Sequence, residues 1–264
     1  MAAKIFNEFK ENLKKGFPVA LATVIEGPGQ GAKLLLLPDG SYLGSLGNTK
    51  IDSVLSRDMA GELAAGRTSI RHYGIEGEAR EETLSIFIES FAPPPQMVIF
   101  GAVDFTAALV RIAKVLGYKV IVCDARPVFA TKARFPQADS VENEWPDQLM
   151  EKLGTSLGPR DAVCVLTHDN KFDVPAITSA LQTQVGYIGV MGSRKTHENR
   201  TERLIEAGVT TTEFERVMSP IGLDLGARTP EETAISICAE IIAMRTGRKA
   251  PHLKTIEGAI HGDR

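Results

Sequence analysis

The spacing of hydrophobic residues differs on the two sides of a proline segment, Pro93 to Pro95. Before this segment, apolar residues repeat at helical spacing twice and at strand spacing four times, which predicts a small α+β module. The predicted helices cover residues 5–13, ending at Gly16, and 51–63, ending at Gly66; the predicted strands cover 19–25, 33–37, 41–45 and 84–88. Three consecutive prolines suit neither a helix nor a central strand. We therefore predict an N-terminal α+β domain over residues 1–92.

After the prolines, short runs rich in Val and Ile alternate with helical patterns. The predicted strands cover residues 97–100, 119–123, 162–166 and 187–190, and the clearest helices cover 106–116, 174–181 and 234–244. Strands that are apolar throughout and alternate with helices indicate a parallel sheet covered on both faces. The predicted fold class is therefore α/β, with a doubly wound C-terminal domain over residues 96–246. Residues 247–264 are polar and predict a loose tail.

Charge and cysteine usage exclude several classes of protein. The chain has 264 residues with 30 Lys and Arg against 33 Asp and Glu, and this balance disfavours a nucleic-acid binder. No apolar stretch approaches the length of a membrane span and no secretory signal is recognisable, so we expect a cytoplasmic protein. The three cysteines are far apart and form no metal-binding motif. Cys123 and Cys164 lie in apolar runs, which predicts buried thiols.

In an open α/β sheet, ligands bind beyond the carboxyl ends of the strands. That rule selects four loops of this chain as candidate binding elements. They cover residues 101–104, 124–126, 167–170 and 192–195.

The first of these loops departs from the glycine pattern of dinucleotide-binding proteins. Val103 and Thr106 stand at the second and third glycine positions, where a Cβ obstructs the approach of a pyrophosphate, and Asp104 would repel it. We interpret Asp104 as the cap of a helix that begins at Phe105. Asp124 follows Gly101 at the distance typical of a ribose-binding acid, which leaves NAD(P) open as an alternative cofactor.

The second and third loops each allow two interpretations. Arg126 either contributes to a binding site or holds Asp124 in an ion pair. Thr167, His168 and Asp169 follow a strand and resemble a proton-transfer or ligand-orienting site. The alternative is a helix start at which Asp169 or Asp173 is the cap.

The fourth loop is the best candidate for binding an anion. Gly192 permits close approach, Ser193 can cap or donate, and Arg194 and Lys195 add positive charge at the start of a helix that reaches Glu206. The alternative is a capped, solvated helix start. A capping box at Thr229 to Glu232 is interpreted as structural, with Arg228 before it as a residue that could close the pocket.

Several longer motifs resemble the accessory-factor family of xanthine dehydrogenase and carbon monoxide dehydrogenase, the XdhC/CoxI family. The matching segments are residues 187–195, 203–208 and 219–232, supported by 124–127, 134–136 and 167–173. The resemblance implies a Rossmann-like C-terminal domain, a homodimer, and a chaperone-like role. It also implies binding of molybdenum cofactor, as molybdopterin or its cytosine dinucleotide, and help in its sulfuration and insertion. The implied partners are a molybdenum hydroxylase apoenzyme and a sulfurtransferase.

The cofactor-binding candidates are thus drawn from the strand-end loops and Arg228. They are Gly101, Asp104, Asp124, Arg126, Thr167, His168, Asp169, Gly192, Ser193, Arg194, Lys195 and Arg228. No catalytic residue is assigned.

Three segments depart from the family pattern and indicate a diverged paralogue. Gly-Ala-Gly-His has become Gly101-Ala-Val-Asp104, a Ser-Pro-Arg segment before Gly31 is missing, and a glycine-and-cysteine motif has become Gly47-Asn-Thr-Lys50. Three hypotheses follow: a maturation factor, an NAD(P)-dependent oxidoreductase, and an interaction protein that has lost its ligand. We also expect a homodimer, because apolar helices such as residues 51–63 need cover.

Overall fold

The computed structural model describes residues 2–78, 83–167 and 169–257, with the backbone alone for residues 155, 194, 195, 198 and 199. Within it the chain forms two compact units, residues 1–94 and 95–264. No described helix is long and apolar enough to cross a lipid bilayer.

The first unit is a five-stranded antiparallel sheet with two helices. Its strand order is β3-β2-β1-β5-β4. The elements are α1 (Ala2–Lys15), β1 (Val19–Glu26), β2 (Lys33–Leu36), β3 (Tyr42–Gly44), α2 (Thr49–Ala65), β4 (Ser69–Tyr73) and β5 (Leu84–Phe91). Strand β4, which pairs with β5 at the edge, was not predicted because its residues are mostly half-buried or exposed.

The two helices of this unit cover opposite faces of its sheet. Ile51, Leu55 and Met59 of α2 are fully buried against side chains that include Ala20 and Ala22 of β1. Ile5 of α1 packs with Val19 and Leu35. These two strand residues alternate along β1 and β2 with the residues that contact α2, so their side chains lie on the opposite face of the sheet. Gly16 and Gly66 end the two helices with φ angles of 70° and 63°, as expected.

The apolar face of α2 is therefore covered within its own unit. The argument for a homodimer assumed that this helix is covered by a second copy of the chain. That assumption was wrong, because periodic apolar residues do not reveal which surface buries them. The homodimer stays a prediction without that argument.

The second unit is a six-stranded parallel sheet with helices on both faces, which confirms the predicted fold class. Its strand order is β11-β10-β9-β6-β7-β8. The strands are β6 (Gln96–Phe100), β7 (Lys119–Cys123), β8 (Ser140–Glu142), β9 (Ala162–Val165), β10 (Tyr187–Val190) and β11 (Val217–Met218). The helices are α3 (Asp104–Val115), α4 (Pro146–Leu153), α5 (Asn170–Leu181), α6 (Arg194–Glu206), α7 (Thr211–Phe214) and α8 (Pro230–Thr246), with 3₁₀ turns at Gly154–Ser156 and Leu253–Thr255.

The central strands of this sheet are buried on both faces. Met97 and Ile99 of β6 pack in the layer that includes residues of α3 and α8, whereas Val98 and Phe100 pack in the layer that includes residues of α4 and α5. Such strands read as continuous apolar runs in the sequence. The edge strands β8 and β11 have only three and two residues and were not predicted.

The strand order reverses between β6 and β9, since the chain first builds outward to β7 and β8 and then crosses back. This is the topological switch point, where ligands of doubly wound proteins bind. The loops after β6 and β9 flank it directly.

The last long helix begins at the predicted capping box. The Thr229 hydroxyl accepts a hydrogen bond from Glu232 N at 3.2 Å. The Glu232 carboxylate accepts from the N–H groups of Arg228 and Thr229 at 2.7 and 3.0 Å, and Pro230 occupies the first turn. Beyond α8, the described residues 248–257 are exposed, and the remainder of the predicted tail, 258–264, lies outside the described residues.

We predict that Thr229→Ala lowers the free energy of unfolding by about 1 kcal/mol, because the cap hydroxyl is lost while the helix sequence is unchanged. Urea unfolding followed by the emission of Trp145, the single tryptophan of the chain, measures the change. Thr229→Ser retains the hydroxyl and serves as the control. An unchanged midpoint for Thr229→Ala would contradict the capping role.

Candidate functional site

The four predicted loops start side by side at the carboxyl edge of the parallel sheet. Gly101 N donates to Cys123 O at 2.9 Å, Leu166 N to Phe100 O at 2.8 Å, and Met191 N to Val165 O at 2.8 Å. These bonds extend the strand ladders by one residue into the loops. The loops after β7, β6, β9 and β10 therefore follow one another along this edge.

Gly101 lies in close contact with the loop on the other side of the switch point. Its φ is 108°, and an added Cβ would lie 2.8 Å from Thr167 Cγ2 and 3.0 Å from Thr167 N. A side chain at this position would therefore push the two loops apart. The structure brings the candidates Gly101 and Thr167 together.

Helix α3 begins one residue earlier than expected, and the interpretation of Asp104 as its cap was wrong. Val103 occupies the cap position and Asp104 is the first helical residue. Thr106 provides the local polar contact, because its hydroxyl donates to Gly101 O and lies 3.4 Å from Val103 N. The Asp104 side chain is 92% exposed and 3.6 Å from an Arg134 guanidinium nitrogen.

Asp124 is buried and fully engaged by its neighbours. One carboxylate oxygen accepts from Arg126 N and Nε at 3.0 and 2.9 Å, and the other accepts from Ala102 N at 2.8 Å and Arg126 Nη2 at 2.7 Å. The interpretation that Arg126 holds Asp124 is confirmed. Burial raises the pKa of the Asp124 carboxyl, but the guanidinium and the backbone donors outweigh it, so the pKa lies below its ordinary value.

The loop after β9 begins a helix and also joins a buried ion pair. Asp169 is the cap of α5, accepting from Lys171 N at 3.2 Å, whereas Asp173 is not the cap. Instead the Asp173 carboxylate accepts a hydrogen bond from the Thr167 hydroxyl and two from Arg200, at 2.8 Å (Nη2) and 3.2 Å (Nε). The candidate His168 lies outside the described residues.

Arg200 links three strand-end segments. Its side chain and that of Asp173 are each only 1% exposed. Besides Asp173, the guanidinium donates to Met191 O at 2.9 Å and to Ser219 Oγ at 3.4 Å. Sequence reasoning missed this residue. The sequence contained one indication that Arg200 is buried. It lies four positions before Leu204 and therefore on the same face of α6, and that face is buried although the rest of the helix is polar.

The loop after β10 is a capped helix start, as one interpretation held. The Ser193 hydroxyl accepts from Thr196 N at 3.1 Å. Arg194 and Lys195 are the first two residues of α6, and their side chains lie outside the described part of the chain. Arg228 is exposed; its N–H donates to Glu232, and among the described residues no hydrogen bond or ion pair engages its side chain.

The described residues hold no cluster of three or more His, Cys, Asp or Glu side chains that could bind a metal ion. All three cysteines are free and buried, as predicted for Cys123 and Cys164. Burial raises the pKa of the Cys123 and Cys238 thiols to about 12, so both are protonated at neutral pH.

We predict that Arg200→Ala destabilises the second unit by about 3–5 kcal/mol, because it leaves Asp173 buried without its partner cation. Urea unfolding followed by Trp145 emission measures the loss. Arg111→Ala, which removes an exposed partner of Glu231, is the matched control and changes stability by less than about 1 kcal/mol. Equal effects of the two variants would contradict the role of Arg200.

We predict that Asp124 stabilises the folded protein by an amount that depends on pH. Because its pKa is lowered on folding, the charged carboxylate stabilises the native state above its unfolded pKa and loses this effect as pH falls through the folded value. Asp124→Asn should therefore be less stable than the wild type at pH 7, and the difference should shrink below about pH 4. Exposed Asp104→Asn is the control. A difference that is independent of pH would refute the prediction.

Two family models match the chain. The model described as the XdhC Rossmann domain matches residues 97–241, and the model of the XdhC and CoxI family matches residues 13–74. Together they cover parts of both compact units.

Similar curated proteins come from Bacillus subtilis and Escherichia coli. A B. subtilis protein described as a probable subunit of xanthine dehydrogenase is 36% identical over 165 residues, 62% of this chain and 47% of that protein. The molybdenum cofactor insertion chaperone PaoD of E. coli is 25% identical over 162 residues, 61% of this chain and 44% of that protein. In each case the match spans about half the length of the relative or less.

A solved structure has the same fold. A Bacillus halodurans protein described as a xanthine dehydrogenase superposes with a TM-score of 0.54 at 22% identity, covering 93% of this chain and 97% of that one. The family models, which extend over most of the second unit and much of the first, confirm the resemblance drawn from the motifs. The chain therefore belongs to the XdhC and CoxI family.

Proposed function

We propose that this protein is a maturation factor that binds molybdenum cofactor and delivers it to a molybdenum hydroxylase of the xanthine or carbon monoxide dehydrogenase type. The observation that carries the proposal is membership of the XdhC and CoxI family, with the insertion chaperone PaoD as a relative. The cofactor, as molybdopterin or its cytosine dinucleotide, is then cargo. The implied partners are the hydroxylase apoenzyme and a sulfurtransferase, and we expect a cytoplasmic homodimer.

The start of α6 is the proposed binding point for the phosphate of the cofactor. The first N–H groups of a helix have no acceptor within it, and the helix dipole favours an anion there. Arg194 and Lys195 add two positive charges at these positions. Gly192 and Ser193 complete the loop, and the Thr167–Asp169 loop forms the proposed opposite wall.

The contacts of Arg200 support this arrangement. By donating to Met191 O and to the Asp173 carboxylate that holds Thr167, it fixes the ends of β9 and β10 relative to each other. A ligand that spans both loops would thus meet a preorganised surface. Arg228 would close the site, and Gly101, Asp104, Asp124 and Arg126 would line the adjoining part of the edge.

An NAD(P)-dependent oxidoreductase is the second candidate, favoured by the strand order of the parallel sheet. Two observations weigh against it. All four donors around Asp124 come from the protein itself, so this carboxylate is not available to a ribose hydroxyl without breaking those bonds. Val103 and Asp104 begin α3, where a pyrophosphate needs glycine and positive potential.

Mass spectrometry of small molecules released from the protein, purified from its native host, tests the proposal. We expect molybdopterin or its cytosine dinucleotide. Folded protein that fails to bind either form, and that binds NAD or NADP and transfers hydride, would replace the proposal with the oxidoreductase. Copurification of a hydroxylase polypeptide in the absence of any small molecule would favour the interaction protein that has lost its ligand.

Arg194→Ala should weaken binding of the phosphate-bearing cofactor by about 1.5–3 kcal/mol, as expected for a charge-assisted hydrogen bond. Calorimetry or equilibrium dialysis with molybdopterin measures the change. Arg203→Ala removes an exposed arginine from the last turn of the same helix and is the matched control. Unchanged affinity in Arg194→Ala would place the phosphate elsewhere.

A further inference from the structure

Beside the proposed phosphate-binding loops, a series of flat side chains crosses three strand-end segments. Its central member is Arg126, whose guanidinium is oriented by two hydrogen bonds to the buried Asp124. Arg126 Cζ lies 4.6 Å from the ring centroid of Phe129 and 5.7 Å from that of Phe172. The Phe172 ring in turn lies 5.0 Å from the ring of Trp145. We call Phe129, Arg126, Phe172 and Trp145 the stacking row.

The stacking row combines a buried anchor with exposed rings. Phe172 is only 5% exposed, whereas Phe129 and Trp145 are 40% and 43% exposed. Exposure alone does not mark a binding site, because single exposed apolar side chains such as Phe17 and Val115 also occur in this chain. Phe129 and Trp145 differ in that they adjoin an Asp124-bound guanidinium and the buried Phe172 ring, so their exposed faces extend an ordered flat surface.

Cationic side chains lie beside these rings, and each has a carboxylate partner. Lys171 Nζ lies 4.8 Å from the Phe172 ring, and Arg134 Cζ lies 5.7 Å from the Phe129 ring. Asp124 occupies Nε and Nη2 of Arg126, and no described residue accepts a hydrogen bond from its Nη1. Arg134 donates to Ala102 O and lies 3.6 Å from the exposed Asp104, a weak pair that an anionic ligand could displace.

The geometry points to a binding subsite for a flat heteroaromatic ring that carries a phosphate, with the ring on the stacking row and the anion near Arg126 and Arg134. Bases stack on aromatic rings and guanidinium planes with little dependence on their identity, and arginine also binds phosphate. A nucleobase and a pterin share this chemistry. The inference deepens the proposed function and rests on it for the expectation that one of these two rings is the natural ligand; the titration below decides between them.

Trp145 makes the subsite directly observable, because it is the single tryptophan of the chain. The full-length protein is titrated with cytidine 5′-monophosphate, neopterin and ribose 5-phosphate while tryptophan emission is recorded, and calorimetry supplies the affinities. We expect a saturable change with the nucleotide, with neopterin, or with both, and none with ribose 5-phosphate. The ring that binds more tightly identifies the source.

Variants locate the binding. Phe129→Ala and Trp145→Ala should each weaken the ring-bearing probe about fivefold or more by calorimetry, the range for loss of one stacking contact. Trp145→Phe keeps a ring and should retain most of the affinity. Phe17→Ala, at an exposed phenylalanine of the first unit, and Val115→Ala, at the end of α3 remote from the carboxyl edge, should bind as the wild type does.

The inference is overturned if no ring-bearing probe binds, if ribose 5-phosphate binds as tightly as cytidine 5′-monophosphate, or if the alanine variants bind normally. Circular dichroism confirms that each variant is folded. Failure of this inference is distinguishable from failure of the proposed function. Protein that copurifies with molybdenum cofactor and is unaffected by Phe129→Ala refutes the subsite alone, whereas ring binding without any copurifying cofactor refutes the maturation role alone.

Discussion

Arg200 is a fully buried cation, and the loops of the carboxyl edge are arranged by the groups that neutralise it. A buried charge is tolerated only with close, hydrogen-bonded partners, because removing it from water costs several kcal/mol. Here those partners are the Asp173 carboxylate, Met191 O and Ser219 Oγ, from three segments far apart in sequence. The Thr167 hydroxyl completes the set by donating to Asp173. Satisfying one charge thus fixes the ends of three strands.

Two of the three segments that depart from the family pattern have their backbone polar groups satisfied by side chains nearby. At Gly47–Lys50, the Asn48 side chain accepts from the N–H groups of Lys50 and Ile51 and so occupies the start of α2. Lys50 is paired with Glu76 at 2.6 Å. At Gly101–Asp104, the Asp124 carboxylate accepts from Ala102 N at 2.8 Å, and the Thr106 hydroxyl lies 3.4 Å from Val103 N. Side chains of the protein thus accept hydrogen bonds from N–H groups that a ligand would otherwise use. The start of α6 is also capped, by Ser193 on Thr196 N, but its first two residues are cationic.

The sequence was most informative where one physical effect dominates. The central parallel strands are buried on both faces, so their apolar runs predicted them to within a residue or two. The capping box at Thr229 and the cap residue Ser193 indicated helix starts because capping is a contact between near neighbours. Strands β8 and β11 were missed because their pairing depends on a sheet already formed. The partnership of Arg200 with Asp173 was missed because 27 residues separate them. Asp104 was misassigned as a cap because Thr106 and Val103 shift the helix start by one residue.

The pairing of charges along the carboxyl edge indicates where an anion binds most favourably. Asp124 is neutralised by Arg126, Asp173 by Arg200, and Asp169 lies 3.3 Å from Lys171. Each of these pairs contributes no net charge, and the weaker contact between Asp104 and Arg134 follows the same pattern. Arg194 and Lys195 instead add two cations to a helix start whose dipole is already positive, and the first turn of α6 contains no acidic residue. The edge is thus balanced at β6, β7 and β9 and positive in sequence after β10, so the phosphate of the cofactor gains most at α6. At the stacking row, recognition of the ring by its shape and π surface dominates, and an anion attached to that ring interacts only with Arg126 Nη1 and with Arg134 in place of Asp104.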